Sequence, residues 1–324
     1  MVTSYWQDGW LVLNANNGPQ NFLVTTAMGT GYFDKWSKHS LPSWIEYAER
    51  YGLGIICITE ELINPGSARY KNGSWQKLLA PKELATRFPQ ADRIAMLDTD
   101  IRIGPLAPNI FCEAKPGVYS VVSLLKNLPF PKEEVLRRMA FFRHTFYSKS
   151  YPLDSFLLGD VFQEFRDLDL APAPNDYFCA GLIVLDVGHA DQMSQWFFEV
   201  IDGNLDAWEQ THLNYWIQNE PHEWLPYEFQ AIWNYEMAWK YPFLYESGEA
   251  VNSLSQTQAC VEASLWNNHF LHFAGSWYES NAWLANQVIE SGSFFQRART
   301  FDSFRNSTVT GNKVGKRVPS GDVN

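Results

Sequence analysis

Residues 93–104 read RIAMLDTDIRIG. Ile94, Ala95, Met96 and Leu97 form an apolar run that ends on Asp98, Thr99 and Asp100. A short apolar run bounded by polar residues predicts a buried strand, so the chain aims a buried strand at two carboxyl groups. Two carboxylates about 4 Å apart repel each other by roughly 1–4 kcal/mol for an effective dielectric between 80 and 20. A shared proton offsets that repulsion by raising one pKa, and so does a divalent cation with oxygen ligands such as Mg²⁺ or Mn²⁺. The two side chains share a face only while the backbone stays extended. They can also share one ion where the strand turns into a loop.

Working outward, "NFLVTTAM" (21–28) reads as a first strand and "TGYFDKW" (30–36) as a loop. "HSLPSWIEYAERYG" (39–52) reads as a helix stopped by Gly52, because Trp44, Ile45 and Ala48 recur at helical spacing and glycine is a common stop. "LGIICITE" (53–60) is a fully apolar strand, and "SWQKLLAPKELATRF" (74–88) a helical stretch interrupted at Pro81. Strand alternating with helix predicts an α/β fold with a mostly parallel sheet covered on both faces. In such sheets ligands bind beyond the carboxyl ends of the strands, and Asp98 and Asp100 fall at such an end.

Downstream, "GVYSVVSLL" (117–125) and "YFCAGLIVLDV" (177–187) read as strands, with helical insertion material between about 129 and 170. "HADQMSQWFFEVI" places Met193, Trp196, Phe197 and Val200 at helical spacing. A second helix, "DAWEQTHLNYWIQNE", follows, and "NNHFLHFAGSW" (267–277) reads as a late strand and turn. The polar stretch from Asn306 to Asn324 predicts a disordered tail behind a single domain over 1–305.

The 324 residues carry 25 basic and 36 acidic side chains, a net charge of −11, which argues against a nucleic-acid partner. Cys57, Cys112, Cys179 and Cys260 are widely spaced and form no C-x-x-C pair. No run of about 18 apolar residues marks a transmembrane segment. A soluble protein of a reducing compartment, the cytoplasm, is expected. Aromatic residues make up 16% of the chain, and filling a core is their commoner use than stacking on sugar rings.

Four segments in order resemble those of nucleotide-sugar glycosyltransferases of the GT-A fold, in particular the galactomannan and xyloglucan side-chain transferases and the glycogenin-like group. "SWQKLLAPKELATRFPQADRIAMLDTDIRIGPLAPNIF" resembles their W-x-K, helix, apolar strand and D-x-D pattern. "YFCAGLIVLDV" resembles their F-N-A/S-G strand with Cys179 in place of Asn, "WEQTHLNYWI" their D/E-Q-x-x-L-N helix, and "HFLHFAGSW" their H-F-x-G segment. The resemblance implies a GT-A, Rossmann-like mixed sheet flanked by helices. It implies transfer of a hexose or pentose from a nucleoside diphosphate sugar, such as a UDP-sugar, to a carbohydrate or other glycoconjugate acceptor, with retention.

The residue roles are those the resemblance implies. Asp98, Asp100 and His272 would hold Mn²⁺ or Mg²⁺. Residues three apart on a strand face opposite sides, so only one of His269 and His272 can face the ion, and the resemblance of residues 272–275 to the H-F-x-G segment selects His272. Thr25, Thr26 and Ala27, with Asp98 and Thr99, would line the nucleotide, and Lys77 would face the diphosphate or sugar. Ala180 and Gly181 would leave room for the donor sugar, and Gly275 would let the backbone approach phosphate. Gln210 would sit near the anomeric carbon beside Glu209, with Asp176 on donor or acceptor hydroxyls. The usual Lys-Pro-Trp after that glycine is replaced by Ser276 and Trp277. Two other chemistries compete for the aspartates: a haloacid-dehalogenase-like phosphohydrolase, whose D-x-D-x-T is broken here by Arg102, and a nucleotidyltransferase, whose Gly-rich phosphate loop is reduced to "GTG".

Overall fold

The computed structural model describes residues 4–14, 18–29, 31–146, 160–200, 209–245 and 254–274. Its strands are β1 (Ser4–Gln7), β2 (Trp10–Leu13), β3 (Asn21–Thr26), β4 (Gly54–Ile58), β5 (Arg93–Leu97), β6 (Ile101–Ile103), β7 (Tyr119–Val122), β8 (Leu182–Asp186), β9 (His222–Leu225), β10 (Ala231–Ile232) and β11 (Phe270–His272). Eight of them form one mixed sheet in the order β1-β2-β4-β3-β5-β8-β7-β9. The neighbours β4, β3 and β5 run parallel, β8 is antiparallel to β5, and a separate small sheet has the order β10-β11-β6. Helices cover both faces of the large sheet, giving the mixed α/β architecture expected.

Strand alternation sorts the core. Along β5, Ile94 and Met96 point to the face that packs Trp75, Leu84, Trp196 and Phe197. Ala95 and Leu97 point to the opposite face, against Trp36, Trp44, Tyr47 and Ala48. Both faces of the central strands are thus dry, which is why β4 and β5 carry no residue outside the buried class. A third cluster joins the helices Lys132–Phe146, Val161–Asp167, Trp233–Lys240 and Leu254–Asn267 to Tyr177, Cys179, Leu271 and Phe273.

The helix expected over 39–52 spans Leu41–Tyr51, and Gly52 ends it with φ 67°, a left-handed conformation that glycine adopts without strain. The stretch 74–88 forms two helices, Gly73–Gln76 and Ala80–Arg87, and Pro81 sits in the first turn of the second instead of breaking a longer one. Residues 32–36 do not form the loop expected of them, because Tyr32–His39 is helical. Trp36 is fully buried there against Trp44 at 5.6 Å, and this tertiary contact outweighs the polar local sequence. Within 177–187 the regular strand spans Leu182–Asp186, and before it Phe178 makes an isolated antiparallel bridge to Ser123. Gly275 and the predicted tail lie outside the described residues, as does the middle of the 129–170 insertion.

Candidate metal and nucleotide site

At the end of β5 the chain turns: the Ile101 N–H donates to the Asp98 carbonyl, and the Asp98 N–H donates to the Gly181 carbonyl. The turn delivers the chain from the large sheet into β6 of the small one. There β11 lies antiparallel to β6 with His272 opposite Ile101, and the Phe273 N–H donates to the Asp100 carbonyl. These backbone bonds carry His272 from the far end of the described chain to the aspartates. Its Nε2 lies 3.1 Å from Asp100 Oδ1 and 3.9 Å from Asp98 Oδ2. One ligand atom from each of Asp98, Asp100 and His272 falls within 4.8 Å of the others. His269 instead packs its ring on Phe229 at 4.8 Å.

The donor set fits a divalent ion. Ligand atoms at about 2.1 Å from an octahedral ion stand roughly 3.0 Å apart when adjacent and ~4.2 Å apart when opposite. The measured separations fall close to those values. Burial alone would lower the His272 pKa, yet the Asp100 carboxylate in contact with it carries the pKa well above the ordinary histidine range. The ring therefore occupies a place built for positive charge. Asp100 and His272 are buried at 5% and 2% exposure, whereas the Asp98 side chain remains 41% exposed, so the cluster is open to solvent on the Asp98 side.

A shallow cleft opens beside Asp98, lined by Val24, Thr25, Thr26, Lys77, Ala80 and Met96, with Leu97 and Ala180. It lies at the carboxyl ends of the parallel strands β3 and β5, where ligands of such sheets bind. The Thr25 Oγ1 is buried at its wall without a hydrogen-bond partner among the described residues, and a buried hydroxyl left unpaired points to a ligand that satisfies it.

Lys77 is held inside the cluster. Its Nζ lies 2.5 Å from Glu209 Oε1 and 3.4 Å from Asp98 Oδ1, and donates to the Ala180 carbonyl at 3.0 Å. Burial would lower the Lys77 pKa, but Asp98 and Glu209 outweigh it and keep the amine above its ordinary range. Asp98 and Glu209 face the Lys77 ammonium and Asp100 lies against His272, a cluster of three carboxyl groups around one ammonium whose deficit of positive charge a divalent cation would remove.

The remaining expected residues are placed as follows. The Ala180 N–H donates to Gln210 Oε1 at 3.1 Å, and Gln210 Nε2 donates to the Tyr177 hydroxyl at 3.4 Å. Gly181 presses its backbone against the site: a Cβ there would lie 2.3 Å from His272 Cε1 and 3.0 Å from Asp98 Oδ2. Asp176 is buried at 1% exposure, accepts from the Ser123 hydroxyl and the Tyr177 N–H, and lies 3.5 Å from Lys126 Nζ. Ala27 packs in the core beside Trp36 and Trp44, away from the cleft lining. The Thr99 carbonyl accepts from the Ser40 hydroxyl at 2.7 Å. Two residues stand behind the His272 ring: Gln230, whose Nε2 is 3.1 Å from Nδ1 and which carried no sequence signal as a site residue, and Cys179, at the Asn position of the strand motif, whose Sγ is 3.7 Å from it.

No family model and no curated protein matches the sequence. Among solved structures, the chain is similar to a glycosyltransferase involved in the glycosylation of the major capsid of PBCV-1, with a TM-score of 0.47 and 9% identity over 84% of this chain and 100% of that one. It is also similar to the bifunctional glycosyltransferase WbbM in its apo form, with a TM-score of 0.41 and 13% identity. That match covers 80% of this chain and 46% of WbbM.

Proposed function

We propose that the chain is a metal-dependent glycosyltransferase that takes a nucleoside diphosphate sugar, such as a UDP-sugar, and passes its hexose or pentose to a hydroxyl of a carbohydrate or glycoconjugate. The observation that carries this reading is the convergence of Asp98, Asp100 and His272 at the mouth of a cleft over the carboxyl ends of parallel strands. The four ordered sequence segments support it independently.

Asp98, Asp100 and His272 hold the ion, and the imidazole favours Mn²⁺ over the harder Mg²⁺. The bound ion supplies Lewis-acid stabilisation of negative charge on the departing diphosphate. Thr25 and Thr26 offer hydroxyls to the nucleoside, which accounts for the unpaired Thr25 Oγ1. Lys77 holds Asp98 and Glu209 in place from within the cluster. Ala180 and Gly181 give a wall of small residues for the sugar, and Gln210 pins that wall through the Ala180 N–H.

Inversion needs a carboxylate base near the acceptor, whereas retention can use the leaving phosphate to take the acceptor proton. Asp176 is buried and bonded, and Glu209 is paired with Lys77. Each thus has one carboxylate oxygen engaged by a neighbour, which supports retention. The catalytic domain is taken as 1–305, with acceptor contacts from the 129–170 insertion and 306–324 as a tail. Among the described residues no helix is long and apolar enough to cross a membrane, and all four cysteines are free, which supports a reducing compartment such as the cytoplasm.

The test is hydrolysis of a panel of nucleotide sugars with and without Mn²⁺. Release of nucleoside diphosphate that requires the metal supports the proposal. Pyrophosphate exchange would instead indicate a nucleotidyltransferase, release of phosphate from phosphomonoesters a phosphohydrolase, and indifference to metal would refute the metal site.

A further inference from the structure

We propose that Gln230 is the positioning residue that readies His272 for the ion, by presenting its side-chain carbonyl oxygen to the proton on Nδ1. The inference rests on the metal site proposed above and goes beyond it, to a residue that makes no contact with the ion.

Gln230 ends the short helical turn Tyr227–Gln230 and is followed at once by β10, whose Ile232 lies opposite His272 in parallel register with β11. That register brings the Nε2 of the fully buried Gln230 amide to 3.1 Å from Nδ1 and leaves its Oε1 without a hydrogen-bond partner among the described residues. Imidazole can lend a lone pair to an ion from Nε2 only when Nδ1 carries the proton. In the dry environment of a ring that is 2% exposed, that proton needs an acceptor.

Two groups face Nδ1: the Gln230 amide at 3.1 Å and the Cys179 sulfur at 3.7 Å. Sulfur is a weak acceptor, so the amide is the stronger partner. A half-turn of the Gln230 amide exchanges its oxygen and nitrogen. With the nitrogen toward the ring, Nδ1 is forced to accept and the proton moves to Nε2, where it excludes a cation. With the oxygen toward the ring, Nδ1–H is held and the Nε2 lone pair faces Asp98 and Asp100. With the nitrogen toward the ring, the carbonyl oxygen is buried without a partner among the described residues, and the half-turn gives that oxygen the Nδ1 proton to accept. Partners of this kind on a ligating histidine commonly change metal affinity by about 10–100-fold when removed.

The test pairs calorimetric titration of Mn²⁺ into the wild type, Gln230→Leu and Gln230→Glu with nitrogen-15 NMR of histidine tautomers in Mg²⁺-loaded wild type, the His272 signal being identified by its loss in His272→Asn. Expected are an Nδ1–H tautomer for His272, a ~10–100-fold weaker Mn²⁺ affinity in Gln230→Leu, and binding restored in Gln230→Glu, which keeps an acceptor oxygen. An Nε2–H tautomer in the loaded protein overturns the inference without requiring any variant to fold. So does a Gln230→Leu affinity equal to that of the wild type, or a Gln230→Glu affinity no better than that of Gln230→Leu. Absence of any Mn²⁺ or Mg²⁺ binding by the wild type overturns the metal reading itself, and is thereby distinguished from failure of the Gln230 role alone.

Discussion

Gly181→Ala probes the site through steric contact alone. A methyl at this position would start 2.3 Å from His272 Cε1, 2.9 Å from Nδ1 and 3.0 Å from Asp98 Oδ2. Carbon atoms in contact settle at about 3.5–4.0 Å, so the ring or the Gly181 backbone has to retreat by roughly 1.2 Å or more. Metal–ligand distances tolerate only about ±0.2 Å. A displacement that large removes His272 from the ion's reach, and Asp98 moves with it. Overpacking of this kind costs about 1–3 kcal/mol of stability, so the variant is expected to fold. Its Mn²⁺ affinity should fall by at least the ~10–100-fold typical of lost support to a ligand, which is ~1.4–2.8 kcal/mol of binding free energy. Calorimetric Mn²⁺ titration reads the affinity, and urea unfolding reads the stability. Gly188→Ala serves as the control, because a Cβ there meets nothing within 4 Å. If Gly181→Ala binds Mn²⁺ as the wild type does, His272 and Asp98 do not jointly hold the ion, and the site assignment is wrong.

Three further outcomes are expected. Adding Mn²⁺ at 100 times its dissociation constant should stabilise the wild type by about 2.7 kcal/mol, whereas Asp100→Asn and His272→Ala should show almost none of that gain in thermal melts; equal gains would show that the ion binds elsewhere. Lys77→Met strips the buried Glu209 of its 2.5 Å partner and should cost about 3–5 kcal/mol in urea unfolding. Adding Glu209→Gln to that variant should recover part of the loss, and additive effects of the two changes would show that the pair is uncoupled. His212, buried between Trp75 and Trp216, has its pKa lowered by desolvation from 6.5 to about 4. The unfolded chain therefore takes up a proton that the native state refuses. This cost is absent above pH 6.5, and as pH falls from there to about 4 it grows to as much as ~3 kcal/mol. His212→Phe should flatten that part of the stability-versus-pH curve relative to the wild type, and an unchanged slope would show that His212 is not its source.

Much of the architecture was legible in linear form because burial leaves a local imprint. The uninterrupted apolar runs of β4 and β5 marked strands covered on both faces, and Trp44, Ile45 and Ala48 before Gly52 marked a helix and its stop. The helix Tyr32–His39 escaped notice because the burial of Trp36 comes from Trp44 and the sheet beneath it, not from its own neighbours in sequence. The candidate site divides in the same way. Asp98 and Asp100 stood out because they interrupt an apolar run. Lys77 was expected to face the diphosphate, but its binding to Glu209 depends on how two distant helices meet.

The sequence by itself determined the central strands, the carboxyl pair at the end of one of them, and the presence of a histidine able to serve it. Only the tertiary structure decided that His272 reaches the pair, that Gly181 must lack a side chain for it to do so, and that Gln230 stands behind the ring. The reason is physical. Apolar periodicity is set by the nearest few residues, whereas the β6–β11–β10 hydrogen bonds join segments far apart in the chain, and no local pattern records a contact whose partners meet only after the core has closed.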